Sequence, residues 1–277
     1  MIKKILVPQD GSAHGRSALD WSLWLSKKLG ADLIGLHVVD IVALEGPFLH
    51  DISGSLGFEP FLNFSTKMRE VLEEKGAAIL KAFDDSCEKA GVNREHLMSV
   101  GVVAGEICEK AKVADLVVMG RRGVNARFDY QMQGSTTEAV LRKSPKPVLV
   151  VPETFTEPKN PLLAYDGSPN ASRAMHSAAE LSKTLGLPLS VLTVSVSEGE
   201  ADLLKDAEDY LKPYGLKTKF VALKGDPPTS IEKYYRENNH DLLFMGTSHH
   251  SRIFEMVLGS TTEFVMRSVD GPFFLER

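Results

Sequence analysis

Three short motifs in this sequence gather groups that could hold a phosphate or a sugar. Asp10-Gly11-Ser12 sets a carboxylate and a hydroxyl around a glycine. Gly120-Arg121-Arg122-Gly123 comes next and, after ten intervening residues, Gly134-Ser135-Thr136. A carboxylate accepts hydrogen bonds from a ribose or from an adenine amino group. Glycines let backbone approach a ligand closely. A helix opened by Gly134 would offer free N–H donors and partial positive charge to an anion, with the Ser135 and Thr136 hydroxyls beside them. Each motif also has a plainer reading. Asp-Gly-Ser is a common turn with Ser12 as an N-cap, and a lone Gly-x-x-Gly is a weak signal. It is their conjunction at neighbouring strand ends that carries the argument.

The motifs recur. Asp166-Gly167-Ser168 repeats the first at an offset of 156, and Leu185-Gly186 repeats Leu29-Gly30 at the same offset. Asp115-Leu116 through Met119-Gly120 returns as Asp241-Leu242 through Met245-Gly246, and Gly134-Ser135-Thr136-Thr137-Glu138 returns unchanged from Gly259 to Glu263. The chain is therefore read as two copies of one domain. The first copy, residues 1–153, carries about 30 extra residues, including a loop insert at 41–64. Residues 154–160 form a linker within the proline-rich run Pro152–Pro161, and the second copy spans 161–277.

In each copy, short runs apolar on both faces alternate with helical patterns. Strands are expected at Ile5–Val7, Leu33–Val39, Leu97–Val103, Leu116–Met119 and Pro147–Val151. Their counterparts are Leu162–Ala164, Leu189–Val196, Lys217–Leu223, Leu242–Met245 and Pro272–Leu275. Helices are expected over 15–29, over about 67–90 with a shorter twin over 201–211, after Gly105 and Gly225, and after Gly134 and Gly259. Trp21 and Trp24 read as helix-to-sheet packing. This alternation predicts an α/β chain with two tandem doubly wound domains, each a mostly parallel five-stranded sheet with helices on both faces. Ligands of such sheets sit outside the carboxyl ends of the strands, which is where the three motifs fall.

Length and composition agree with this reading. At 277 residues, two domains are expected. A net charge of −5 recruits neither nucleic acid nor anionic membrane. No apolar run reaches the ~20 residues of a membrane helix, and Met1–Val7 is too short for a signal peptide. Cys87 and Cys108 form no CxxC pair, and a reducing cytoplasmic setting is expected. The adjacent His249 and His250 lack a third ligand at metal spacing, so no metal site is expected.

The motif set resembles the universal stress protein family, whose signature is Gly-x2-Gly-x9-Gly-Ser/Thr after strand four with Asp-Gly-Ser after strand one. The resemblance covers nearly the whole chain, once per half. It implies an adenine nucleotide, ATP or a related one, with Mg²⁺ where a triphosphate is bound. By position it implies contacts from Pro8, Asp10, Val39, Met119, Gly120, Arg122, Gly123, Gly134, Ser135 and Thr136. In the second half it implies Asp166, Ser195, Gly246, Ser248, Gly259, Ser260 and Thr261. Both halves depart from the pattern: the first has ten residues rather than nine between Gly123 and Gly134, and the second has His249 in place of a glycine and Ser195 in place of a valine. The first half is therefore expected to be the better site.

The expected function is a cytosolic stress-response binding module. The alternatives are a member acting through protein contacts alone and a slow nucleotide hydrolase, although the chain lacks a Gly-x4-Gly-Lys-Ser/Thr loop. Arg121, Arg122 and Arg127 belong either to a solvated loop or to phosphate neutralisation. The insert's Phe48, Phe58, Phe61 and Phe64 suit a lid, an interdomain or dimer contact, or ordinary packing. The two halves are expected to pack face to face as an intrachain pseudo-dimer through their last strands, with a homodimer and an unidentified protein partner left open.

Overall fold

The computed structural model of the chain describes residues 2–41, 61–124, 134–195, 200–247 and 258–277. Ten strands form one sheet. They are β1 (Lys4–Pro8), β2 (Asp32–Asp40), β3 (Arg94–Gly101), β4 (Leu116–Gly120), β5 (Val148–Val151), β6 (Pro161–Ala164), β7 (Leu189–Ser195), β8 (Thr218–Lys224), β9 (Leu242–Gly246) and β10 (Phe273–Glu276). The helices described are α1 (Ala13–Leu29), α2 (Phe61–Ala90), α3 (Val103–Ala111), α4 (Ser135–Lys143), α5 (Pro169–Leu185), α6 (Glu200–Leu211), α7 (Pro227–Glu237) and α8 (Ser260–Ser268).

The sheet order is β3-β2-β1-β4-β5-β10-β9-β6-β7-β8. Every pairing is parallel except β5 with β10, which is antiparallel. The halves thus pair through their last strands as expected, but edge to edge in one continuous sheet and not face to face. Val148 lies opposite Leu275, Leu149 opposite Phe274 and Val150 opposite Phe273. The physical reason is that each last strand satisfies the other's unpaired N–H and C=O groups. Within each half the strand order reverses beside the first strand, between β1 and β4 and again between β6 and β9.

The inner strands are sandwiched between helices, so their residues alternate between two cores and neither face is polar there. Ile5, Val7 and Leu33 pack with Trp21 of α1 and Phe83 of α2 on one face, and this core continues through Ala174 of α5 and Phe244 of β9. Leu6, Ile34 and Val117 pack with Ile107 of α3 and Val140 of α4 on the other, continuing through Ile231 of α7 and Val265 of α8. Each core crosses the junction without a break.

The linker is docked as well. Phe155 meets the Trp21 ring edge-on at 5.1 Å and lies 6.1 Å from Trp24. Helix α1 starts where the Ser12 hydroxyl accepts from Gly15 N at 2.9 Å and stops at Gly30 in the left-handed conformation, with Lys27 and Lys28 in its last turn.

Among the elements that start more than two residues from the expected position are β3 and α2. Strand β3 runs from Arg94 to Gly101, not from Leu97 to Val103, because its register follows β2 from Leu33 to Asp40. As an edge strand it carries Arg94, Glu95 and His96 as exposed residues, with Arg94 and His96 paired to Asp84 of α2. Helix α2 begins at Phe61, inside the segment read as a loop insert. Phe48, Phe58, Arg127, His249 and His250 lie outside the described residues, as do the side chains of Phe61 and Phe64.

Candidate functional site

The chain leaves β1 at Pro8. Gln9 N extends the ladder by donating to Leu36 O at 2.7 Å, and the Gln9 side-chain amide donates to Pro8 O and Gly15 O, each at 3.1 Å. Gly11 then turns at φ +79°, a conformation glycine adopts without penalty. Asp10 Oδ1 accepts from Ser12 N at 2.9 Å, and Oδ2 accepts from Val124 N at 3.0 Å. The carboxylate therefore joins the end of β1 to the loop after β4. Each oxygen keeps a second lone pair for a further donor.

The glycines after β4 serve different ends. A methyl built on Gly120 would lie 2.6 Å from His14 Cβ, so this glycine lets α1 rest on β4. A methyl on Gly123 would lie 2.9 Å from Asp10 Oδ2, so this one leaves room for the carboxylate. Gly134 N donates to Arg121 O at 3.1 Å, closing the neck of the loop, and Thr137 Oγ1 donates to Gly120 O at 3.1 Å. Gly134 stands at the N-cap of α4 with no side chain to cap it, whereas Ser12 caps α1. The first N–H groups of α4 thus face outward with the positive end of the helix dipole. Burial, the largest influence on His14, holds its imidazole below the usual range.

Of the two arginines in this loop, Arg121 turns away from the cradle. Its guanidinium donates to Val269 O at 2.6 Å and Gly271 O at 2.8 Å and lies over the Phe273 ring at 5.2 Å. It is a clamp onto the second half, a role distinct from both readings of the arginine cluster. A second set of contacts crosses the junction nearby. Arg142 reaches Glu263 at 3.2 Å and Arg267 reaches Glu138 at 4.0 Å, while Arg142 also lies 3.6 Å from Glu138 within its own helix.

Pro8, Asp10, Val39, Met119, Gly120, Arg122, Gly123, Gly134, Ser135 and Thr136 all line one cleft of about 470 Å³. It opens where the strand order reverses, beyond the carboxyl ends of β1 and β4. Val39 and Met119 are buried, at 2 % and 5 % exposure, so each shows the cleft only a sliver of surface.

The cleft has walls that motif reading missed. Val103 and Ile107 enter from α3, and Leu72 and Lys75 from α2. The spacing of Val103 and Ile107 at the start of a helix was an available signal; nothing in the local sequence around Lys75 pointed to Asp10.

In the second half, Asp166 Oδ1 accepts from Ser168 N at 3.0 Å, and Gly246 packs so tightly on α5 that a methyl there would lie 2.3 Å from Ala171 N. Gly259 N-caps α8, whose first residues are Ser260 and Thr261, and Ser195 ends β7. Ser248 lies outside the described residues. Among the described residues no group of three or more His, Cys, Asp or Glu side chains could hold a metal ion, and no helix is long and apolar enough to cross a membrane.

Comparison with known proteins adds a second line of argument. The sequence model of the universal stress protein family matches residues 1–152 and again 159–275. A universal stress protein of Synechocystis is 29 % identical over 282 residues, covering 98 % of each chain. The crystal structure of a universal stress protein from Archaeoglobus fulgidus superposes with a TM-score of 0.77 at 25 % identity, covering 99 % of this chain and 96 % of that one. A Pseudomonas aeruginosa structure with a TM-score of 0.71 and 14 % identity shares the fold.

Proposed function

This chain belongs to the universal stress protein family, and from that premise we propose that it is a cytosolic binding module holding an adenine nucleotide, ATP or a related one, chiefly in its first half. The observation that carries the reading is the convergence of ten motif residues on one cleft at the switch point. Its volume of about 470 Å³ falls within the usual range for small-molecule sites, about 300–1,000 Å³.

In this reading Asp10 accepts hydrogen bonds from the ribose, and Pro8, Val39 and Met119 flank the base. Gly123, Gly134, Ser135 and Thr136 surround the phosphates, with Arg122 as counter-charge and the uncapped N-terminus of α4 aimed at them. Mg²⁺ accompanying a triphosphate would be held by phosphate oxygens and water, the arrangement this ion favours where no protein cage is present. Asp166, Gly246, Ser248, Gly259, Ser260 and Thr261 would form a weaker counterpart.

Titration calorimetry with ATP tests the assignment. Gly123→Val drives a branched side chain onto Asp10 Oδ2 and should abolish most binding, while Gly259→Val should leave it largely intact. The reverse result would reject the assignment of halves, and failure of the unmodified chain to bind any adenine nucleotide would reject the reading itself.

A further inference from the structure

The halves differ most in the helix that follows their second strand. A methyl built on Gly11 would lie 3.2 Å from Ile79 Cδ1 of α2, and one on Gly167 would lie 2.5 Å from Leu203 Cδ2 of α6, so Ile79 and Leu203 occupy matching places. Ile79 lies 18 residues beyond the start of α2, whereas Leu203 lies three beyond the start of α6. At about 1.5 Å per residue, the described part of α2 overhangs this contact by roughly 20 Å more than the described part of α6.

Gly76 sets how closely that overhang approaches. It is buried, and a methyl there would lie 2.5 Å from His37 Cδ2 on β2. The helix therefore lies against the end of β2, and Leu72 and Lys75 line the cleft. Lys75 is four residues before Ile79, so it shares the face that touches Gly11 and stands one turn further out. Asp10, next to Gly11, is bonded to Val124 in the loop after β4. Lys75 thus lines the same cleft as Asp10, Gly123 and Gly134, on the wall that α2 builds beside the Asp-Gly-Ser turn.

The charges around this corner leave the ammonium available. Each Asp10 oxygen accepts one backbone N–H group and keeps a lone pair, yet neither pairs with Lys75 among the described residues. Glu138, the carboxylate on the first turn of α4, lies against Arg142 and Arg267. Lys75 is exposed and makes no hydrogen bond or ion pair with a described residue.

We propose that the overhang of α2 is a ligand-reading wall and that Lys75 makes the first-half cleft select phosphorylated adenosine over adenosine itself. This rests on the nucleotide reading above and adds to it a specificity residue from outside the glycine motifs. A lysine there acts as a flexible point charge on a phosphate.

The test compares ATP and adenosine by calorimetry at low salt in four full-length chains: unmodified, Lys75→Gln, Lys75→Arg and Lys67→Gln. Lys67 is also exposed on α2 but does not line the cleft. Losing one charge-assisted hydrogen bond should weaken ATP binding about tenfold in Lys75→Gln, with adenosine affinity unchanged, most ATP affinity kept in Lys75→Arg, and no change in Lys67→Gln. An equal loss for ATP and adenosine, an equal loss in Lys67→Gln, or no loss in Lys75→Gln would each overturn the proposal. In the last case, intact ATP binding that Gly123→Val abolishes would leave the nucleotide reading standing. Absence of ATP binding in the unmodified chain would overturn both.

Discussion

Replacing Arg121 with alanine should loosen the union of the two halves. The side chain is 13 % exposed and makes two charge-assisted hydrogen bonds, to Val269 O and Gly271 O, across the junction. Orphaning those carbonyls costs about 1–3 kcal/mol each where water cannot reach them, and losing the contact with the Phe273 ring adds about 0.5–2 kcal/mol. Relief of the guanidinium's own desolvation offsets part of this. Asp270, 3.9 Å away, is fully exposed and adds little. The expected net loss is therefore about 2–4 kcal/mol. Both bonds come from one nitrogen, Nη2, so lysine should rescue the part its ammonium can reach and lose the planar contact with the Phe273 ring. Both tryptophans, Trp21 and Trp24, belong to the first half. Urea unfolding followed by tryptophan fluorescence thus reports on that half, while far-ultraviolet circular dichroism reports on both. In Arg121→Ala the midpoint should fall and the two probes should separate. Coincident curves at the unmodified midpoint would refute Arg121 as a clamp.

Two further substitutions separate packing from binding and charge from burial. Gly120→Ala forces a methyl into α1 and should cost about 1–3 kcal/mol of stability by overpacking; Gly123→Ala, which meets only a carboxylate able to rotate, should lower melting less and ATP affinity more, and the opposite ranking would remove the distinction drawn between these glycines. Glu276 is 8 % exposed, and burial raises its pKa, opposed by the Ser177 hydroxyl and by Arg173. The folded chain therefore holds this proton to higher pH than the unfolded chain, which releases it near about 4.3. Stability from this group is complete below that value and is lost as pH rises through the folded pKa. Glu276→Gln should accordingly match the unmodified chain at low pH and become the more stable of the two as pH rises, and parallel stability–pH curves would refute this.

The repeat made most of the architecture readable. Ile5–Val7 and Leu116–Met119 are apolar on both sides, which demands a covered parallel sheet, and a parallel sheet brings the ends of β1 and β4 together. That is why Asp10 and Gly123, far apart in the chain, could be assigned to one place. The ends of elements were harder to read. Arg94, Glu95 and His96 lack the apolar pattern of a strand, yet an edge strand accepts them because their polar side chains reach water or carboxylates of α2. Arg121 groups with Arg122 and Arg127 as either solvated loop or phosphate neutralisation because the three lie close together in the chain. Successive side chains leaving a strand point in opposite directions, and one of the two met the other half. The contribution of α2 was hidden for a different reason. Lys75 reaches the cleft only because Gly76 lets a long helix lie against β2, a contact between residues nearly forty apart that no local pattern encodes.

The antiparallel ladder between β5 and β10 has a consequence for how the halves could diverge. Two separate subunits joined along this seam would depend on their concentration, and a symmetric pair would carry every residue twice. Tethering replaces the concentration of a free subunit with a local one in the millimolar range, so a modest seam suffices at any dilution. It also breaks the equivalence of the two sides. Arg121 has Thr247 at the matching place, and Val151 has Glu276. A clamp therefore needs to exist only once, and a carboxylate can be buried on one side alone. Any substitution around the strand ends of the second half is tested on that half by itself, provided β10 keeps its edge.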